Sequence, residues 1–270
     1  MNLGIDVNRI QRFGAFYITA ARLRNMSKWR AIIAAVDIGN PLFYLISVGV
    51  GIGVLVQSNS GTSGTGGIKY IAYIAPALLA SSAITAAMDE CVFPTIEGFK
   101  WRKLFFAQNA TPISATQIAT GVFLAAMTRA LTSVSIYYIL LLAFNVVDLG
   151  TSILLIPIAV LGGGSFGAVM LYFAAKIEKE DHFFNIIGRL VITPMFLFSG
   201  TFFPLQSMPI YLQPIGWISP LWHATELGRS AAFDYGVSST MTALHILFLA
   251  VLIIAGLALS FRQFERRLSK

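Results

Sequence analysis

The chain has 270 residues, of which 56% are hydrophobic and only 11% charged, with a mean hydropathy of +0.74. Soluble globular domains carry about 25% charged residues, so this composition excludes an ordinary globular protein and specifies an integral membrane one. The formal charge of +7 does not argue for nucleic acid, because the basic residues sit in short segments between long apolar runs, where they orient a membrane chain. Cys91 is the single cysteine, which excludes an internal disulfide and leaves it a small apolar residue.

Residues 1–30 hold Arg9, Arg12, Arg22, Arg24, Lys28 and Arg30 against one acid, Asp6. Ile10, Phe13, Tyr17 and Ala20 recur at three- and four-residue steps, while Arg9, Arg12, Thr19 and Arg22 fall on another face. That pattern predicts an amphipathic helix lying along lipid headgroups, with Trp29 at the interface. No compact apolar core followed by a small-residue cleavage site is visible, so the first span is expected to act as the insertion signal.

The first span, about 31–56, has Asp37 and Asn40-Pro41 near its start and then Gly49, Gly51 and Gly53, which invite close helix contact. Asp37, close to Arg30, reads as a local ion-pair or capping residue. Residues 57–67 (QSNSGTSGTGG) form a flexible loop; without a preceding strand or a closing Gly-Lys-Ser/Thr they do not make a nucleotide site. The second span covers about 70–88. The polar segment 89–114 then mixes Asp89, Glu90, Glu97, Lys100, Arg102 and Lys103 with Phe93, Phe99, Trp101, Phe105 and Phe106, which suits short amphipathic helices at a wet surface that another protein grips. Pro112 breaks the chain just before the next helix.

The third span, about 117–146, contains Arg129. An arginine at the centre of a span costs roughly 2.5–3.5 kcal/mol, so it faces a cavity, a partner or a headgroup. The alternative, preferred from the sequence, is that Arg129 snorkels to the inner interface. The fourth span, about 151–175, carries Gly162-Gly163-Gly164 and Gly167, a close-packing signature, and a charged loop, 176–182, follows it. The fifth runs from about 185 to 203.

Pro204, Pro209, Pro214 and Pro220 then interrupt a stretch too broken to cross a bilayer and too apolar for a water-borne loop. Irregular backbone at membrane depth survives only where it is buried in protein or lines a cavity, so 204–231 is read as a re-entrant hairpin. His223, Glu226 and Arg229 share one face of a short helix there. Two candidate ligands are too few for a zinc site, and a structural ion pair is the preferred reading, with no metal and no catalytic residue assigned. Phe196, Phe198, Phe202 and Phe203 either pack the bundle or line an exit for an apolar cargo, and the two readings stand level. His182 and His245 read as isolated. The sixth span covers about 243–261, and the tail RQFERRLSK ends the chain.

All Lys and Arg except Lys69, Arg129 and Arg229 fall in the N-terminal segment, the 89–114 segment, the 176–189 region or the tail. By the positive-inside rule both termini are cytoplasmic and the broken stretch enters from outside. Trp29 and Trp101 then mark the inner boundary, and Trp217 and Trp222 the outer one.

Two motifs carry a resemblance: Phe198-Ser199-Gly200-Thr201-Phe202-Phe203-Pro204-Leu205, followed by Pro209 and by Ser219-Pro220-Leu221-Trp222-His223-Ala224 on to Arg229; and Gly98-Phe99-Lys100-Trp101 leading to Ala110-Thr111-Pro112-Ile113-Ser114. With six spans in this order, the chain resembles the permease subunits of ABC exporters, and within them the type 2 permeases (type V exporter fold) that export nodulation factor, polysaccharide and anthracycline drugs. The resemblance implies an all-α membrane fold: residues 1–30 as a cytosolic connecting helix and 31–270 as a six-span permease domain.

It further implies that residues 92–106 form the coupling helix that docks in a separate ATPase subunit, with Glu97, Gly98, Lys100, Trp101, Arg102 and Lys103 as contact candidates. Residues 205–229 correspond to paired short helices that help close the exit, which adds Leu205, Trp217 and Trp222 to the four phenylalanines as gate candidates. The implied partners are the ATPase, which holds ATP and Mg, and a second permease copy, identical or related; no cofactor is expected in this chain. The implied function is export of an amphipathic substrate, such as a drug-like molecule, a lipid or a lipid-linked glycan, across a bacterial inner membrane.

Two other classes fit the residues less well. An ion-coupled secondary transporter needs midplane acids or broken helices in paired repeats. A membrane-embedded lipid-modifying enzyme needs clustered His, Asp, Glu or Cys.

Overall fold

A computed structural model describes residues 7–52, 67–177, 187–233 and 238–269. The glycine-rich loop after residue 56, most of the charged 176–182 loop with His182, and the expected start of the fifth span at Asn185 lie outside the described residues. Every regular element among the described residues is helical.

Helix α1 (Val7–Met26) runs through a 3-10 turn, Ser27–Trp29, into α2 (Arg30–Tyr44), which loosens into a π-helical stretch, Leu45–Ile52. Helix α3 (Tyr70–Ile96) ends in a π-helical turn, Glu97–Trp101, and is followed by the short α4 (Leu104–Asn109). Helix α5 (Ala115–Ala143), the single-turn α6 (Leu149–Ser152) and α7 (Leu155–Lys176) complete the centre. A π-helical turn, Gly188–Ile192, leads into α8 (Thr193–Phe198); then come a 3-10 turn, Leu205–Ser207, α9 (Gln213–Trp217), α10 (Pro220–Phe233) and α11 (Ser239–Leu268). Five helical runs are long and apolar enough to cross a membrane: Val7–Val48, Tyr70–Trp101, Ala115–Ala143, Leu149–Lys176 and Ser239–Leu268. Gly188–Phe198 is apolar but shorter.

Helix α3 is the hub. It is buried along most of its length and packs against α5, α7 and α10, while α11 lies against α7 and α1 crosses α5. Lipid tails give no hydrophobic drive to helix association, so contact distance and small residues decide which helices meet. Gly163 on α7 shows the constraint, because a methyl group there would lie 2.7 Å from the Ala83 carbonyl oxygen of α3. Gly51 differs from expectation: it has nothing within 4 Å, although Leu45 and Val48 of the same π-helical stretch pack on the core, and Gly53 lies outside the described residues.

Several boundaries differ from the sequence reading. Helix α3 continues two turns past Met88, because Cys91, Val92, Pro94 and Thr95 are buried and extend its core-facing surface. Helix α11 runs on through most of the C-terminal tail, whose Phe264 and Leu268 pack into the core beside Phe99 and Phe105. On α1 the buried residues are Gly14, Ile18 and Thr19, set against α5, whereas Phe13, Phe16 and Tyr17 are exposed. The stripe that contacts protein is therefore the small-residue one. The start of α5 follows the sequence closely: Pro112 precedes it, and Ser114 and Gln117 form a reciprocal capping box.

The Gly163 contact has a measurable consequence. Gly163→Ala should lower the thermal unfolding midpoint in detergent, corresponding to about 1–3 kcal/mol of overpacking. Gly51→Ala, with open space around it, should leave the midpoint unchanged or raise it.

Candidate functional site

Three helices place polar residues on one face at helical spacing. Asp37, Asn40 and Tyr44 line up on α2; Ser81, Ser82, Thr85 and Asp89 on α3; Arg129, Ser133 and Tyr137 on α5. The three stripes converge on a cleft-like cavity of about 340 Å³, bordered on its remaining side by Thr193 and Phe196 of α8 and open to the surface at Asn40, Thr85 and Asp89. Volumes of this size suit a small polar group or the head of an amphiphile.

The wall is fixed by an ion pair. Arg129 is the middle residue of the 29-residue α5, and its Nη1 and Nη2 donate to Asp37 Oδ2 and Oδ1 at 2.7 and 2.8 Å. Ser133 Oγ donates to Asp37 Oδ1 at 3.1 Å, and Ser82 Oγ lies 2.7 Å from Ser133 Oγ. The side chains of Asp37 and Arg129 are 4% and 13% exposed. Two corrections follow. Asp37 does not pair with Arg30 or cap its helix, and Arg129 does not snorkel away from the bundle. Each would be an uncompensated charge at this depth, and a bidentate fork satisfies both at once. The sequence held the signal: one acid and one base, each single in an apolar span, together with Ser, Thr and Tyr at four-residue steps.

Towards the other end of α3 the chain makes an elbow. Lys103 adopts a left-handed conformation (φ 50°) and turns the chain into α4. Glu97 accepts from Arg102 Nε at 3.0 Å and pairs with Arg22 of α1 at 3.5 Å, while Arg22 also binds Glu90 at 2.8 Å. Phe99 packs edge-on against Phe105 and Phe264, and the Arg267 guanidinium lies 4.1 Å over its ring. Gly98 faces the Phe105 ring, which leaves no room for a side chain. Of the six contact candidates, then, Glu97 and Gly98 turn inward and hold the elbow. Lys100 is half-buried, and Trp101 (59% exposed), Arg102 and Lys103 are presented outward beside Phe93, Leu104 and Phe106.

The broken stretch is organised by Arg229, whose residue surface is 0% exposed. It donates to Glu226 at 2.8 Å, to the Gly200 and Thr201 carbonyls at 2.7 and 3.3 Å and to the Tyr73 carbonyl at 3.1 Å, with its guanidinium 3.6 Å over the Tyr73 ring. One side chain thereby satisfies backbone that has no helical partner, as buried irregular chain requires.

His223 does not join the Glu226–Arg229 pair expected for it, and His245 is not isolated. Their Nδ1 atoms are 2.7 Å apart, and His223 Nε2 lies 3.0 Å from the Trp217 carbonyl. A carbonyl only accepts, so His223 Nε2–H donates to it and His223 Nδ1 accepts from His245.

The gate candidates do not form one surface. Phe196 lines the cavity and meets Tyr44 and Phe202 edge-on; Phe198 is half-buried; Phe203 and Trp217 are exposed; Leu205 is buried against Gly216, and Trp222 packs on both histidines.

A family model described as ABC-2 type transporter matches residues 15–233, which takes in the cavity, the elbow and the Arg229 cluster. The chain belongs to the ABC-2 type transporter family. Nodulation protein J of Neorhizobium galegae is 27% identical over 250 residues, covering 92% of each chain. The protein of the same name from Rhizobium leguminosarum bv. viciae is 26% identical over 250 residues (92% of this chain, 93% of the relative), and that of Bradyrhizobium diazoefficiens is 26% identical over 257 residues (94% and 95%). As an ABC-2 protein with several apolar helices, this chain is a multi-pass transmembrane transport subunit of an ABC exporter, a kind of subunit that works with an ABC ATPase.

The ion pair gives a direct prediction. Arg129→Leu should cost about 3–5 kcal/mol of stability by leaving Asp37 buried and unpaired, and the double variant Asp37→Leu with Arg129→Leu should recover most of the loss. Thermal unfolding of the four proteins checks it, since additive losses would mean that the two residues act independently.

Proposed function

We propose that this ABC-2 subunit exports an amphipathic substrate across a bacterial inner membrane, driven by a separate ATPase that docks on the elbow around Trp101, Arg102 and Lys103. The reading includes six spans with both termini cytoplasmic, the described Gly188–Phe198 helices forming part of the fifth, and a re-entrant segment, 204–231, entering from outside. It also includes a second permease copy, with ATP and Mg held by the ATPase. The amphipathic cargo, drug-like molecule, lipid or lipid-linked glycan, fits a cavity with one polar wall and one aromatic wall.

The observation that supports the reading best is the build of the elbow. Aromatic and cationic side chains are exposed together on a turn that is clamped from behind by Arg22–Glu97, Phe99–Phe105 and Arg267. Exposed Trp and Arg on a rigid base are the usual anchors of a protein interface. The elbow continues α3, whose polar stripe lines the cavity, so a push on Trp101 is carried to Asp89 about 12 residues, or roughly 18 Å, along helical backbone.

Capture from native membranes through a C-terminal tag tests it. The wild type should bring down a P-loop ATPase, and Arg102→Glu with Lys103→Gly, which keeps the left-handed turn and removes the charge, should reduce that capture about tenfold or more. Equal recovery of the ATPase by the variant would remove the elbow from the interface. Recovery of the chain alone from both would count against an ATP-driven subunit.

Arg22→Ala probes the clamp separately. It removes the tie between α1 and the elbow without touching the exposed face, so ATPase capture should persist while ATP-dependent transport falls. Transport at the wild-type rate would show that the clamp carries no force.

A further inference from the structure

We infer that the cavity between α2, α3, α5 and α8 binds the amino or ammonium headgroup of the exported amphiphile and discriminates against anionic heads. The inference rests on the exporter reading and adds the chemical class of the substrate.

The charges in the cavity do not balance. Arg129 is the cation lining it among the described residues, and each of its terminal nitrogens gives one N–H to Asp37, which neutralises its charge, with Ser133 adding a third hydrogen bond to the same carboxylate. Asp89, exposed at the rim of the cavity, also lines it and makes no hydrogen bond or ion pair among the described residues; Arg129 acts on it electrostatically, and the adjacent Glu90 is held by Arg22. Two carboxylates therefore face one guanidinium that is already committed, and the surplus is negative. A phosphate or sulfate head entering here would meet that surplus with the one lining guanidinium among the described residues already neutralised by Asp37, whereas an ammonium would be attracted.

The polar groups tell the same way. Tyr137 is 3% exposed and lines the cavity, and its hydroxyl has no hydrogen-bond partner among the described residues; the Ser81 hydroxyl, also on the wall, has none either. Ser82 and Ser133 satisfy each other, so these orphans are not part of an existing network. A buried hydroxyl left without a partner costs free energy that a bound group can recover. An ammonium brings three donors, which the Asp89 carboxylate can accept directly; Ser81 lies two turns, about 12 Å, away along α3, so its hydroxyl and that of Tyr137 mark a second polar position in the same cavity. The aromatic side adds to this: Tyr44 and Phe196 line the same cavity and meet edge-to-face with centroids 5.6 Å apart, and ring faces attract a cation over a neutral group of the same size.

The test uses the permease alone in lipid nanodiscs and tritiated dodecylamine as the probe, with dodecyl phosphate and dodecyl glucoside as competitors of matched chain length. The amine should bind saturably, the glucoside should compete at least about tenfold less well than unlabelled amine, and the phosphate should compete least. Asp89→Asn should weaken amine binding about tenfold, Asp89→Glu should retain it, and Tyr137→Phe, at the second polar position, should change it less than Asp89→Asn does, with the glucoside little changed by either Asp89 variant. A phosphate that competes as well as the amine, or an Asp89→Asn protein that binds the amine with wild-type affinity, would overturn the assignment. Because the comparison of headgroups is made on the wild type, it stands even if a variant folds poorly. Because no ATPase is present, a negative result rejects the headgroup and leaves the exporter reading to the capture experiment.

Discussion

A charge in the middle of an apolar helix has to find its opposite within the same bundle, and the Asp37–Arg129 pair is where this structure meets that requirement. Its consequence reaches well beyond two side chains. Holding α2 against α5 at this depth brings together the Asn40–Tyr44 face of the first and the Ser133–Tyr137 face of the second, with the Ser81–Asp89 stripe of α3 between them. The cavity exists because a pair satisfied by a bidentate fork needs polar neighbours, and polar neighbours keep the helices from closing on one another. Replacing the pair with apolar side chains of similar size would be expected to fill the space, since buried ion pairs seldom outperform good packing. Retaining it makes sense as the condition for an internal polar surface.

The same hub helix joins that surface to the elbow. Helix α3 is buried for most of its length and ends in a turn held by Arg22, Glu97 and the Phe99 cluster, so one helix joins cavity and elbow. A partner that binds the elbow differently in two nucleotide states would bias the position of α3, and a ligand can shift an equilibrium only by such a difference in affinity. At the other end of the bundle, Arg229 ties the backbone at Gly200–Thr201 to Tyr73 of α3. Movement of α3 is thereby felt at both ends.

Much of the fold was legible. Apolar length announced the membrane helices, Pro112 with Ser114 and Gln117 placed the start of α5, and the glycines of α7 marked its close contacts, Gly163 and Gly167 against α3, Gly162 against α10 and Gly164 against α5. The buried role of Arg229 was half legible, because its three-residue step to Glu226 is local, whereas its bonds to Gly200 and Tyr73 are not. What could not be read were pairings set by tertiary contact. Asp37 is 92 residues from Arg129, and its nearest basic neighbour in sequence, Arg30, suggested the wrong partner. Glu97 sits among exposed charges in the sequence and yet turns inward, because Arg22 on a separate helix claims it. His223 and His245, 22 residues apart, meet across α10 and α11 for the same reason. On α1 the aromatic face read as lying along headgroups is exposed, and what could not be read was the protein contact made by Gly14, Ile18 and Thr19.

The central claim is that the elbow and the cavity move together. The Tyr44–Phe196 ring pair closes one side of the cavity, and Phe43 and Leu197 stand next to it with exposed side chains. Spin labels at these two positions, in a protein whose single buried Cys91 is replaced by Ala, would report the α2–α8 distance by electron–electron double resonance. With the ATPase bound, the distance distribution is predicted to shift when nucleotide is trapped with vanadate. An unchanged distribution with the ATPase demonstrably trapped would contradict the account.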